Sequence, residues 1–360
     1  MAEDSGMVIR NRKEDHVNLA LTENVTVSGV TNGFEDFEFV PTAIPDIDFD
    51  EITTEVNFLG STFNAPIMVA GMTGGYPKAK DLNTRLAEIC AKLGIPMGVG
   101  SQRAMLVRPE TIDTFAVKKT VPDVFLVGNL GLVQFSYDFT IDHYHQAAEL
   151  IEANAMAIHV NSFQELCQPE GDLNWKGSWD NLRKICKESK VPVIAKEVGT
   201  GIAFDEAQRL KEIGCDAIDV GGAGGTSWPK LELFRNQKDD ALSLTDETLK
   251  WGIPTAFATW EATRVPEIEI IATGGMYHGL MAAKALAMGA KMVGIARPVL
   301  KALVDYGSEG AEKWLRHYIL NIKRVMFLLG VDSVETLRKQ RAKLIPLRKA
   351  REWLTYRNML

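Results

Sequence analysis

His159, Asn161, Gln164 and Glu165 fall within one short stretch, AMAIHVNSFQELCQPEGD over residues 155–172. The two amides hydrogen-bond without titrating readily, so they suit positioning rather than proton exchange. Glu165 is a hard oxygen ligand, suited to a divalent cation such as Mg²⁺ that also bridges substrate phosphates. His159 is open to three readings: a base, a ligand, or a satisfied structural residue at the end of a buried strand. Cys167 is a candidate nucleophile or, lacking a paired base, a small packing thiol. No HExxH zinc spacing, GxSxG elbow or Walker-type GxxxxGK(S/T) run occurs in the chain.

Lys196 closes another apolar run. A fixed ammonium there suits the electron-rich edge of a flavin ring better than a Schiff base, since nothing near it in sequence depresses its pKa. Ser101 and Asn129 can hydrogen-bond the carbonyls and nitrogens of such a ring, or simply cap their own loops. Glycines gather at Gly74-Gly75, Gly221–Gly225 and Gly274-Gly275. Glycine permits positive φ and lets backbone N–H groups approach an anion closely. With Arg297 behind the last apolar run, the pattern points to a phosphate-bearing cofactor. Arg12-Lys13-Glu14-Asp15-His16 reads, on composition alone, as a solvated helix face.

These groups stand where short apolar runs end. The runs Ala65–Ala70, Met97–Val99, Val124–Val127, Ala155–Val160, Val193–Ala195, Ala217–Val220, Ile268–Ala272 and Met292–Ile295 predict strands buried on both faces. Helical patterns follow near 78–93, 110–118, 142–153, 178–189, 204–213, 254–264, 277–288 and 297–305. Eight strand-then-helix units predict an α/β fold, a (β/α)8 TIM barrel with its site at the C-terminal rim. Residues 1–64 form an N-terminal extension carrying the basic cluster, with β-rich pieces at Phe37–Val40 and Thr53–Phe58. Residues 65–306 form the barrel. Residues 307–360 add a C-terminal helical extension, with amphipathic helices over 309–329 and 332–354, in the same domain. The segment 226–251 is the longest break between a strand and its helix, a length often used for a lid.

Hydrophobic residues make up 46% and charged residues 24% of the 360, ordinary globular values. A net charge of −7 argues against a nucleic-acid or membrane-surface partner, but not against a local basic pocket. Cys90, Cys167, Cys186 and Cys215 show no metal-type spacing, and no leader or membrane span is evident, so a reduced, cytoplasmic protein is expected.

The runs RKEDH at 12–16, MTGG at 72–75, GSQR at 100–103, GNLG at 128–131 and HVNSFQE at 159–165 stand with QPEGD at 168–172. KEVG at 196–199, GGAGGTSW at 221–228, GIPT at 252–255 and ARP at 296–298 complete the set. Together they resemble the type 2 (FMN-dependent) isopentenyl-diphosphate isomerases over nearly the whole chain. The HxNxxQE and QPEG pair is the specific part; the other motifs are shared by many FMN barrels.

The resemblance implies interconversion of isopentenyl and dimethylallyl diphosphates in isoprenoid biosynthesis. It implies FMN that works in its reduced form, NADPH as a reductant, Mg²⁺, and a homotetramer or homo-octamer. By position, Met72, Thr73, Gly74, Ser101, Asn129, Lys196, Thr226, Gly274, Gly275, Ala296 and Arg297 contact FMN. Arg12, Lys13, His16, Ser101, Gln102, Arg103 and Gln164 surround the diphosphate, so the basic cluster becomes an anion clamp. Gln164, His159 and Asn161 are the implied catalytic residues, and Glu165 the Mg²⁺ ligand. The chain departs from the family in two places: Tyr277 replaces a usual Arg, which removes a charge-assisted contact near the FMN phosphate, and Gly221 replaces a frequent Ser.

An FMN-dependent 2-hydroxy-acid oxidase or dehydrogenase is the alternative. It needs a His base beside arginines that clamp a carboxylate, and His278 has no neighbouring arginine in sequence. A protein that merely stores FMN is disfavoured by the second cationic cluster.

Overall fold

The structure, a computed structural model, describes residues 13–235 and 245–360. Eight strands form the barrel: β1 (Ile67–Val69), β2 (Met97–Gly98), β3 (Leu126–Gly131), β4 (Ala155–Val160), β5 (Val193–Glu197), β6 (Ala217–Asp219), β7 (Glu269–Thr273) and β8 (Met292–Ile295). They pair in chain order, and β8 closes on β1 in parallel. The expected (β/α)8 barrel is present, and its strands are apolar because helices cover their outer face while side chains fill the inside.

Two strands run past their expected ends. Gly128 and Asn129 read as loop, yet the β3 ladder continues to Gly131; β5 likewise continues through Lys196 to Glu197. The register sets His159 beside Gly131 on one side and Lys196 on the other, with Lys196 beside Asp219. These polar groups therefore share one level at the C-terminal end of the barrel.

The helices Pro77–Leu93, Ile141–Leu150, Ser178–Glu188, Phe204–Glu212, Thr255–Ala262 and Gly279–Ala287 match expectation. The region 110–118 does not. It holds the 3-10 segments Pro109–Thr114 and Val117–Lys119, with a short helix Arg103–Val107 before them. Thr111 and Thr114 turn their hydroxyls onto the carbonyls of Arg108 and Thr111, a local bonding that competes with a regular helix. Arg297–Leu329 runs as one long helix broken at Gly307, where φ is 71°. The expected helix over 332–354 is divided into Val334–Leu337, a strand at Leu344–Pro346 and a helix Arg348–Tyr356. That strand exists because a partner strand, Phe37–Phe39, pairs antiparallel with it.

The N-terminal extension closes one end of the barrel. Its hairpin Val56–Phe58 and Ser61–Phe63 brings Phe63 edge-on to Phe125, just before β3, at 5.1 Å. Leu59 N–H donates to Glu269, the first residue of β7, at 2.8 Å. The opposite end, the C-terminal rim, is crossed by a helix over residues 13–22. Val17 docks that helix against Tyr76, Ala79 and Leu300. Among the described residues no helix is long and apolar enough to cross a membrane.

Candidate active site

A cavity of about 240 Å³ opens at the C-terminal rim, beneath the helix over 13–22. Lys13 and His16 from that helix line it, together with groups from the ends of all eight strands. Strand ends converge there because each β-then-α turn must cross the same rim, so residues far apart in sequence meet at one point.

The helix Ser162–Cys167 follows β4 directly and fixes the central groups. Asn161 Nδ2 donates to Glu165 Oε1 at 2.8 Å and lies 3.3 Å from Gln164 Oε1. Gln164 Nε2 donates to Glu232 Oε1 at 3.1 Å, so the Gln164 amide is held at both ends. Glu165 Oε2 accepts the Asp172 N–H at 2.8 Å. Asp172 also receives Arg103 at 2.9 Å, which ties the polar loop after the helix to the GSQR segment. Asn161 lines the cavity, and its Oδ1 is buried with no hydrogen-bond partner among the described residues.

His159 Nδ1 lies 2.8 Å from Asn129 Oδ1, and Asn129 Nδ2 donates to the Val99 carbonyl at 3.2 Å. With the Asn129 amide so oriented, His159 carries its proton on Nδ1 and donates it. Cys167 is a packing thiol: burial, with the nearby Glu232 charge, pushes it up to about 12.

Glu232 and Asp219 are buried carboxylates, bonded to cavity-lining side chains, that sequence reasoning passed over. Glu232, on the helix Trp228–Arg235, is fully buried. His16 Nε2 stands 2.8 Å from Oε1, and Arg235 Nε donates to Oε2 at 2.8 Å. Burial alone would raise its carboxyl, but His16, Arg235 and Gln164 outweigh that and hold it below the ordinary value. Asp219, also buried, accepts Lys196 Nζ at 2.7 Å on Oδ2, while the Thr273 hydroxyl and Gly221 N–H donate to Oδ1. The Lys196 charge is therefore fixed and partly neutralised. Glu197, next in β5, lies in a nest of backbone N–H groups from Val198 to Gly201; burial raises its carboxyl, and the nest counters this.

Met72, Thr73, Gly74, Ser101, Asn129, Lys196, Thr226, Gly274, Gly275, Ala296 and Arg297 all line the cavity, as do Arg103, His159, Asn161, Gln164 and Glu165. Gln102 does not. Its side chain is fully buried behind the wall, donating to the Ala147 carbonyl at 2.7 Å and accepting the Asn129 N–H at 2.8 Å. From there it props Asn129. Arg12 lies outside the described residues. Lys13 donates to the Ser101 carbonyl and stands 5.1 Å over the Phe115 ring. Of the segment 226–251, the helices Trp228–Arg235 and Asp246–Leu249 are described; its middle, 236–244, lies outside the described residues.

The loops after β6 and β7 present nearly bare backbone. Gly274 has φ +112°, and a Cβ there would stand 2.1 Å from the Gly222 carbonyl. Beside them starts the helix Arg297–Leu329, whose N-terminal N–H groups favour an anion. The Arg297 guanidinium reaches over to the Ala20 carbonyl at 2.7 Å and the Glu23 carbonyl at 3.2 Å. Tyr277, in place of the arginine the resemblance implies, donates its hydroxyl to the Gly224 carbonyl at 3.2 Å. Gly221 is required by the backbone: φ is +48°, and a Cβ would stand 2.0 Å from the Glu197 carbonyl. This arrangement can hold a planar, phosphate-bearing group against Lys196 and a second anion beneath Lys13, His16 and Arg103.

The FMN-dependent dehydrogenase family pattern matches residues 8–121 and 136–344. An isopentenyl-diphosphate delta-isomerase of Thermococcus kodakarensis is 46% identical over 353 residues, covering 96% of this chain and 94% of the relative. That of Pyrococcus abyssi is 44% identical, covering 96% and 95%. That of Rickettsia bellii is 38% identical, covering 93% and 98%. Among solved structures, a sulfite-bound flavocytochrome b2 variant superposes with TM-score 0.64 at 20% identity, covering 92% of this chain and 82% of that one. A mandelate oxidase variant gives 0.61 at 19%, covering 86% and 88%. Identity at that level speaks for the barrel alone.

Proposed function

Because the chain belongs to the isopentenyl-diphosphate delta-isomerases of the FMN-dependent dehydrogenase family, we propose that it interconverts isopentenyl and dimethylallyl diphosphates in isoprenoid biosynthesis. The observation that carries this reading is one cavity with two sets of anion-binding groups. Arg297 reaches the helix over 13–22 at Ala20, and Lys13 begins it. Seven residues of helix separate the two by about 10 Å, so a cofactor phosphate and a substrate diphosphate need not compete.

The residues present fit FMN: a cationic Lys196, the amides and hydroxyls of Asn129, Ser101 and Thr73, and a glycine wall ending at a helix N-terminus. When bound in its reduced form, FMN supplies an electron-rich ring with a protonatable N5, chemistry that suits proton addition to an alkene through a carbocation-like transition state. Lys196 would supply a positive charge to the electron-rich ring, and its pairing with Asp219 would limit that charge's strength. Lys13, His16 and Arg103 hold the diphosphate, whose remote binding energy orients the hydrocarbon. Gln164, clamped between Asn161 and Glu232, positions substrate and proton path; it is a poor acid by itself. His159, held by Asn129, presents a fixed imidazole beside it. Trp228 and the helix over 13–22 wall the cavity from water.

Glu165 fits Mg²⁺. Its carboxylate is a hard oxygen donor in the cavity wall, oriented by Asn161 and Asp172, and would suit a cation whose other ligands are phosphate and water. Mg²⁺ held by Glu165 would neutralise diphosphate charge, and NADPH would serve as the reductant for bound FMN. Exposed Val304 and Tyr306 at the end of the barrel segment, with Leu328 and Ile345 on the C-terminal extension, support a homotetramer or homo-octamer.

The test is isopentenyl diphosphate in heavy water with FMN, Mg²⁺ and excess NADPH under nitrogen, followed by proton NMR. Dimethylallyl diphosphate carrying deuterium is expected. Double bonds that stay in place, while lactate or glycolate bleaches the oxidised flavin, would overturn the reading in favour of a 2-hydroxy-acid oxidase.

A further inference from the structure

Cys186 and Cys215 take no part in the rim chemistry, yet their sulfurs stand 3.6 Å apart. Cys186 lies near the C-terminal end of the helix Ser178–Glu188, which leads into β5. Cys215 lies in the turn between the helix Phe204–Glu212 and β6. Both therefore sit at the N-terminal end of the barrel, away from the cavity. The turn itself packs on Cys186: a Cβ built at Gly214, where φ is +96°, would stand 3.6 Å from the Cys186 Cβ. A disulfide needs sulfurs about 2.05 Å apart. The remaining gap is of the size that a change of side-chain rotamer spans, with no rearrangement of the two elements.

We propose that Cys186 and Cys215 form a reversible dithiol–disulfide site whose oxidant is hydrogen peroxide. Cys186 is the half-buried partner that a small oxidant reaches, whereas Cys215 is buried. The Cys215 thiol hydrogen-bonds to Cys186, which lowers the Cys186 thiol against the effect of burial; the same bond, with burial, raises that of Cys215. The thiolate form is the nucleophile. Cys186 attacks a peroxide oxygen, the O–O bond breaks, and a sulfenic acid and hydroxide form. The Cys215 sulfur then displaces hydroxide from that sulfenic sulfur, forming the S–S bond. The two thiol protons leave with the two hydroxides as water; each sulfur gives up one electron and peroxide takes both. Cys90 and Cys167 offer no such chemistry, since both are fully buried and burial raises their thiols.

A crosslink here closes a long loop that includes all of β5, so it restricts the unfolded chain and leaves the rim untouched. Treating the FMN-loaded protein with peroxide and titrating thiols in denaturant should lower the count from four to two per chain. The mass should fall by two hydrogens, a Cys186–Cys215 peptide should appear after proteolysis, and the melting temperature should rise by several degrees. Dithiothreitol should reverse all of these. Cys186→Ser and Cys215→Ser, each alone, should block the crosslinked peptide. A count that stays at four, oxygen added to Cys186 without a linked peptide, or a link to Cys90 or Cys167 would overturn the proposal. The readout is thiols, not turnover, so it is distinct from the fate of the isomerase reading.

Discussion

The Glu232 carboxylate meets His16 at 2.8 Å, Arg235 at 2.8 Å and Gln164 at 3.1 Å, so one buried acid joins the N-terminal clamp to the central amide. Nothing in WPKLELFR marks it, because a lone glutamate in an amphipathic helix ordinarily faces water. Only the tertiary approach of a helix more than two hundred residues upstream in the chain reveals its role. Asp219 did carry a signal: a carboxylate within the apolar run Ala217–Val220 must have a partner if that run is a buried strand. The placement of Gln164 and Glu165 at the rim, in contrast, followed from the central motif, since both stand just past a strand end. Gln164→Ala removes the clamped amide and should lower turnover by about 10²-fold, the cost of a misplaced reacting group, while FMN affinity measured by fluorescence quenching stays at the wild-type value. Turnover at the wild-type rate would refute that role. Asp219→Asn keeps the side-chain shape but leaves Lys196 uncompensated. Reduced flavin then gains stabilisation, and its midpoint potential should rise by about 30 mV for each 1.4 kcal/mol of added attraction. Spectroelectrochemistry that finds the potential unchanged or lower would contradict the pairing.

Strands were the most legible elements, since a parallel strand covered on both faces can only be an apolar run. Their ends were less so. Gly128 and Asn129 look like a turn, yet β3 keeps them in its ladder because β4 continues alongside to His159. The C-terminal extension misled for a related reason. Leu344-Ile345-Pro346 lies within a helical pattern, but its partner Phe37–Phe39 is far away in sequence, and local periodicity cannot report it. That pairing is a clasp between the two extensions, with Phe37 fully buried and stacked 5.3 Å from Trp260. Phe37→Ala opens a cavity there and should cost about 3–5 kcal/mol of stability, read as an earlier urea midpoint. A midpoint unchanged from wild type would show that the clasp adds nothing to stability.

The chain as a whole is acidic, with a net charge of −7, and still gathers Lys13, His16, Arg103, Lys196 and Arg297 around one cavity. Composition spoke only of the average, and on composition alone the basic cluster at 12–16 read as a solvated face; only the family resemblance implied an anion clamp there. The hairpin over 56–63 covers the lower end of the barrel, and the helix over 13–22 roofs the upper end, which shelters the cavity there from water. The central claim is that the coenzyme in this chamber moves protons and is not turned over as an electron carrier. Its most direct test is the isomerisation rate measured while the bound flavin is titrated stepwise from oxidised to reduced under nitrogen. The rate should rise in proportion to the reduced fraction, with no net oxidation as product accumulates. Equal rates at every point of the titration, or one flavin oxidised for each product formed, would contradict it.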